Sequence, residues 1–298
     1  MKGGKESKES KESKESKESK KSDVKDVYIL WIRHCESCSN ASSFFSYRKH
    51  FIPPLCTKKG IVQSLLFGKR LKDKLPDIYK KYDLLDVKFY SSYLPRAMLT
   101  CKIITNSFLK GAGGDEKREI RRIPYTSEHH NLANKIWSDT QSSISSNTSN
   151  RYARAVNKLF PNTYPIVVEK KGDNKQIEQT GRDYYKFMTE ILPKLERGYL
   201  HVVTTHSHFM RYDIMDHINP EWGKKKYHPK NLDSFLVRYR DGVPKLMKSR
   251  YNSLVYLGGQ GAEKYDVDKI VMPLVSHKYD KQFREKIVDC KYDDKEIV

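Results

Sequence analysis

Six consecutive apolar residues, Val27 to Ile32 (VYILWI), end without transition at Arg33-His34. A run this short and this rich in β-branched and aromatic side chains predicts a strand buried on both faces, as strands of parallel sheets are. Helical periodicity follows. From Lys58 to about Leu75, apolar residues recur at Ile61, Val62, Leu65, Leu66 and Leu71, behind Thr57 as N-cap. Asp86 to Tyr90 predicts a second strand, and Leu94 to Phe108, with Ala97, Met98, Cys101 and Ile104 on one face, predicts the helix after it.

Further strands are expected at Arg121 to Thr126, Tyr199 to Thr205 and Ser253 to Leu257. Further helices are expected at Ile177 to Leu195, bent near Pro193, and around Phe209 to His217. Asp233 to Arg240 and Lys245 onward flank Asp241-Gly242 as the strands of a hairpin do. Ser138 to Asn150 is almost wholly small and polar and predicts a loop insertion. Strands alternating with helices give an α/β fold, a three-layer α/β/α sandwich with a mainly parallel central sheet. In such sheets ligands bind beyond the carboxyl ends of the strands.

The chain carries a formal net charge of +20. Residues 3–22 repeat Lys-Glu-Ser without an apolar side chain to offset the entropy of ordering, so residues 1–22 are expected to be a disordered tail. That tail accounts for +3 and leaves +17 on residues 23–298, read as one domain. A basic body suits an anionic partner: a phosphorylated small molecule, a phosphoprotein or, less favoured without a recognisable binding module, nucleic acid. No apolar run approaches the roughly 20 residues of a membrane span, and the N-terminus lacks the apolar stretch of a secretory signal. The five cysteines, Cys35, Cys38, Cys56, Cys101 and Cys290, have no disulfide-framework spacing, which favours a reducing compartment and a cytoplasmic location. Cys35 and Cys38 form a lone C-x-x-C with no second pair, so no metal site is expected. Gly258-Gly259-Gln260-Gly261 lacks the strand-to-helix context of a phosphate loop, there is no Walker lysine pattern, and no cofactor is expected. Oligomeric state leaves no signature in the sequence.

The strand ends carry the reactive residues. The first strand runs into Arg33-His34, the second into Ser91-Ser92 with Arg96 one helical turn on, and a later one into His206. Four patterns follow in order: Arg33-His34-Cys35-Glu36-Ser37-Cys38-Ser39-Asn40, then Pro54-Leu55-Cys56-Thr57-Lys58-Lys59-Gly60-Ile61-Val62-Gln63, then Ser91-Ser92-Tyr93-Leu94-Pro95-Arg96-Ala97-Met98-Leu99-Thr100, then Thr205-His206-Ser207. Together they resemble the motifs of the histidine phosphatase superfamily, the phosphoglycerate-mutase-like fold, in its branch 1, over about residues 27–220.

The resemblance implies a phosphatase that hydrolyses phosphomonoesters without metal through a phosphohistidine on His34. Arg33, Arg96 and His206 would clamp the phosphoryl oxygens and Asn40 would add a neutral donor; Ser207 would border the same pocket. Cations around His34 disfavour its protonation and keep it nucleophilic. Glu128, in Tyr125-Thr126-Ser127-Glu128-His129-His130, is the candidate acid for the leaving oxygen, while Glu36 is expected to support the pocket through hydrogen bonds. The sequence departs from the family pattern at Cys35 and Ser207, where glycines are usual, and at Cys56, which stands in a leucine place. Cys35 is read as a buried inert thiol, with a redox-sensitive thiolate as the alternative. Basic clusters at Tyr47-Arg48-Lys49-His50 and Lys224 to Lys226 either recruit a multiply anionic substrate or are solvated surface. Two other functions stay open: a phosphoglycerate-mutase-type phosphotransferase, and a catalytically silent basic protein that binds phosphate or nucleic acid.

Overall fold

A computed structural model describes residues 26–37, 56–109, 118–128, 146–169, 182–218 and 229–247. The first apolar run is β1 (Val27–Arg33), and its two faces are both dry. Tyr28, Leu30 and Ile32 enter one apolar cluster, and Val27, Ile29 and Trp31 enter the other, as the period of two in a strand requires. With β2 (Asp86–Ser91), β3 (Ile120–Arg122), β4 (Tyr199–Thr205), β5 (Ser234–Arg240) and β6 (Val243–Leu246), it forms one sheet in the order β3-β2-β4-β1-β5-β6. The first four strands run parallel, β5 pairs antiparallel with β1, and β6 closes the expected hairpin.

Helices cover both faces. On one side lie α1 (Lys58–Tyr82), α2 (Pro95–Asn106) and α3 (Ser146–Leu159). On the other lie α4, built of Tyr184–Lys186, Phe187–Ile191 and Leu192–Lys194, and α5, Phe209–Met215 continued by Asp216–Ile218. This is a three-layer α/β/α sandwich with a mainly parallel sheet, the fold class expected from the sequence. Among the described residues no helix is long and apolar enough to cross a membrane.

Several local expectations need correction. Helix α1 does not stop near Leu75; it runs through Pro76 to Tyr82, because Ile78, Tyr79 and Tyr82 continue the apolar stripe. It ends where Asp83 turns left-handed at φ 52°, with Lys80 and Lys81 beside the negative end of the helix dipole. The third strand is shorter than Arg121 to Thr126, since Tyr125 at φ 62° turns the chain away from the sheet. Helix α4 starts at Tyr184, capped by the Asp183 carboxylate, and residues 177–181 of the expected helix lie outside the described residues. Residues 146–150 of the expected polar loop are the first turns of α3: Ser149 and Asn150 accept hydrogen bonds from the buried Arg122 guanidinium at 2.9 and 2.5 Å. The disordered tail, the strand at Ser253 to Leu257 and residues 138–145 lie outside the described residues.

Buried histidines make the fold sensitive to acid. His201, fully buried in β4, bonds the Glu196 carbonyl at 2.8 Å, and burial lowers it from 6.5 to about 4. A base with a depressed folded value contributes stability that is complete above its unfolded value and is lost as pH falls from 6.5 towards 4. Asp213, pushed up by burial to about 7, acts in the opposite sense, so a variant comparison isolates the histidine. Denaturant titrations of wild type and His201→Gln are expected to converge in stability by about 3 kcal/mol on acidification. Parallel curves would contradict this assignment.

Candidate active site

Register brings the reactive residues together. Arg33 pairs with Thr205, and Ser91 with Thr204, so the residues that follow β1, β2 and β4 emerge side by side. The His34 amide donates to Thr205 O at 2.8 Å and the Ser92 amide to Thr204 O at 2.9 Å, extending the pairing just past the strand ends. The His34 and His206 rings lie 5.0 Å apart, centre to centre. Arg96 reaches the same place because Leu94 is extended ahead of Pro95, which opens α2 at its first position.

Within this cluster the orientation of His34 is defined at both ring nitrogens. Nδ1 lies 2.7 Å from Cys35 O and so carries the proton, which leaves Nε2 as the acceptor for Arg96 Nε at 3.3 Å. Arg96 Nη2 pairs with Glu128 Oε2. Glu128 Oε1 lies 3.3 Å from His208 Nδ1, and Oε2 lies 3.9 Å from His206 Nδ1. His206 Nε2 shares a hydrogen bond with Ser92 Oγ at 2.7 Å. Arg33 Nη1 donates to Pro229 O at 2.5 Å. Arg33 Nε, His206 Nδ1 and Ser127 Oγ are buried without a hydrogen-bond partner among the described residues.

The electrostatics follow from this crowding. Burial, then the charges of Arg96 and Arg33, hold His34 well below the usual imidazole range. Burial, then Arg96 and His34, do the same to His206. For Glu128, burial pushes upward, but Arg96, the His208 hydrogen bond and His206 outweigh it, and the carboxyl lies well below its usual range. The result is two guanidinium groups and neutral imidazoles around one carboxylate. That surplus of donors over acceptors suits a small dianion with several oxygens, such as a phosphoryl group.

The structure thus brings together Arg33, His34, Arg96, Glu128 and His206, five of the residues singled out in the sequence. Ser207 is half-buried at the turn after His206, and Asn40 and both basic clusters lie outside the described residues. Glu36 accepts from Thr57 Oγ1 at 3.0 Å and pairs with Lys59 at 3.4 Å, tying the loop after β1 to the start of α1. Four site residues were missed: Ser92 and His208 described above, Asn231, whose Nδ2 donates to His34 O at 3.0 Å and Cys35 O at 2.8 Å, and Thr100, whose Oγ1 accepts from the Cys35 amide at 2.9 Å. Ser92 and Thr100 stand inside the third pattern, where no role was assigned to them, and His208 adjoins the fourth; Asn231 acts from a distant loop and left no local signal. The cysteine expectation is also corrected, since Cys35 and Cys56 are joined by a disulfide and Cys35 is no free thiol.

No family model matches the chain, and no curated protein matches it. Among solved structures it is similar to a phosphoglycerate mutase from Bacillus anthracis str. Sterne, at 14% identity over 80% of this chain and 99% of that one, TM-score 0.44. It is also similar to an ecdysone phosphate phosphatase from Bombix mori in complex with tungstate, at 13% identity over 75% and 92%, TM-score 0.44. A third is a phosphoserine phosphatase from Entamoeba histolytica in complex with 3-phosphoglyceric acid, at 16% identity over 76% and 99%, TM-score 0.37. These neighbours are one mutase and two phosphatases. What the present site does chemically follows from its own side chains.

One glycine is required by the loop that holds His34. A Cβ on Gly60 would sit 2.3 Å from Glu36 O and 3.1 Å from Cys35 Cβ, and the first contact is with main chain that cannot swing aside. Gly60→Ala is expected to cost about 1–3 kcal/mol in urea unfolding. Unchanged stability would mean that the loop is not packed against α1 as described.

Proposed function

We propose that this protein is a phosphomonoester hydrolase that works through a phosphohistidine on His34, without need of a metal. The observation that carries this reading is the hydrogen bond from His34 Nδ1 to Cys35 O, which fixes the tautomer and leaves Nε2 unprotonated; in the ligand-free site it accepts from Arg96 Nε, and it becomes the nucleophile when a bound phosphoryl group draws Arg96 to its oxygens. In the first step Nε2 attacks phosphorus in line with the leaving oxygen, while Arg33 and Arg96 balance charge on the equatorial oxygens and neutral His206 donates a hydrogen bond to them. In the second step water displaces the histidine from phosphorus and releases inorganic phosphate.

Glu128 is the proposed proton donor in the first step and acceptor in the second. In the ligand-free site it is ionised and bound to Arg96, the wrong state for an acid. A bound phosphoryl dianion adds negative charge beside Glu128 and competes for Arg96, and both changes raise its affinity for a proton. His208, on the opposite carboxylate oxygen, would orient it. The proposed substrate is a phosphorylated small molecule or phosphoprotein. The opposite preference, nucleic acid held without turnover, gains no support from reactive groups this buried.

Two substitutions test the reading. His34→Ala is expected to lower kcat/KM for a generic phosphomonoester by about a thousandfold or more, and equal rates would overturn the assignment. Glu128→Gln is expected to cost about 10²–10⁴-fold with a poor leaving group and markedly less with p-nitrophenyl phosphate, whose oxygen needs little protonation. An equal loss with both would show that Glu128 is not the acid. Because His34 and His206 are held neutral, kcat/KM should not fall as pH is lowered from 7 to 6.5, the ordinary imidazole value.

A further inference from the structure

The cysteines at the glycine place and the leucine place of two separate motifs, Cys35 and Cys56, are one feature in space. They form a disulfide with Cα atoms 5.8 Å apart across 21 residues of sequence, and both side chains are fully buried. The bond sits where three segments meet. Cys35 belongs to the loop after β1, where its carbonyl fixes the His34 ring and its amide bonds Thr100. Cys56 precedes Thr57, the N-cap of α1, whose amide bonds Glu36 O at 2.8 Å. Both sulfurs lie against Arg96 O in the first turn of α2, Cys56 Sγ at 3.6 Å and Cys35 Sγ at 4.0 Å. The covalent link therefore joins the backbone that orients His34 to the turn that carries Arg96.

We propose that the Cys35–Cys56 disulfide is a redox-controlled brace of the phosphoryl site. Closed, it holds the loop after β1, the start of α1 and the first turn of α2 in the arrangement that presents His34 Nε2. A dithiol opens it in two exchanges: one reductant thiolate bonds to a protein sulfur and expels the other as thiolate, then the second reductant thiolate displaces the first sulfur. Two protein thiols and one oxidised reductant result, and the three segments are then held only by hydrogen bonds and packing. Because the sulfurs are buried, exchange requires the loop to open first, so whatever holds the loop closed slows reduction. By linkage, if the closed bond favours phosphate binding, bound phosphate must protect the bond. Cys101, the free and buried thiol among the described residues, is pushed up to about 12 by burial and takes no part.

The activity readout of this proposal rests on the hydrolase reading; the binding and stability readouts do not. The test uses the full chain purified without reductant, with the cross-link mapped by non-reducing peptide mass spectrometry. Inorganic phosphate affinity is then measured by calorimetry before and after dithiothreitol, with reduction confirmed by alkylation of Cys35 and Cys56. Reduction is expected to weaken phosphate binding and kcat/KM by about tenfold or more, and to lower Tm by about 6–12 °C. Saturating phosphate is expected to slow reduction several-fold, and Cys56→Ser to behave as reduced wild type in either condition. Absence of the cross-link, or confirmed reduction with unchanged phosphate affinity, would overturn the brace. Redox-dependent phosphate binding without hydrolysis would sink the hydrolase reading and leave the brace standing. No phosphate binding by the oxidised protein would end both.

Discussion

Arg96 is the group on which the site depends. Its side chain bonds His34 through Nε and Glu128 through Nη2, and its carbonyl lies against the Cys35–Cys56 sulfurs. A guanidinium this buried requires a nearby anion, and Glu128 supplies it in the ligand-free state. Burial, and after it the same charge, keeps His34 from taking a proton. On the proposed reading, an incoming phosphoryl group replaces an anion already present in the site, so part of the desolvation of Arg96 precedes binding. On the proposed mechanism that exchange also frees Glu128 to become an acid.

The fold explains why such a site exists on this edge of the sheet. Between β1 and β2 in space lies β4, which arrives more than a hundred residues later in sequence. Three parallel strand ends therefore meet at one edge of the sheet, the edge at which such sheets bind ligands. The flanking layers then fix the loops: α1 through Gly60 and Thr57, α2 through Pro95, and the loop before β5 through Asn231. These elements position His34 and Arg96, while Glu128 lies in the loop after β3.

Much of this was legible in the sequence for identifiable reasons. Strand β1 was plain because an unbroken apolar run has no alternative to burial on both sides, and β4 was assigned to its observed bounds from its β-branched content around Val202 and Val203. Arg33, His34 and His206 were legible because they stand at or directly after the end of a strand, and Arg96 because it opens the helix that follows one. Helix α3 was not, because Ser146 to Asn150 favour turns locally; contacts from Arg122 and the packing of Ala153 and Val156 decide otherwise. The disulfide was missed because Cys35 and Cys56 were weighed as separate departures from two motifs. Only the fold brings the two motifs together. Asn231 was invisible because a backbone carbonyl 196 residues away defines its role.

The central claim is that Nε2 of His34 is the nucleophile, and the most direct measurement is the site and regiochemistry of phosphate attachment. The protein would be mixed with a phosphomonoester, quenched in alkali to preserve phosphoramidates, and digested, and the His34 peptide examined by mass spectrometry and ³¹P NMR. The structure predicts phosphate on His34 through Nε2, since Nδ1 is committed to Cys35 O at 2.7 Å. Turnover without a phosphohistidine at His34, or attachment through Nδ1, would contradict the account.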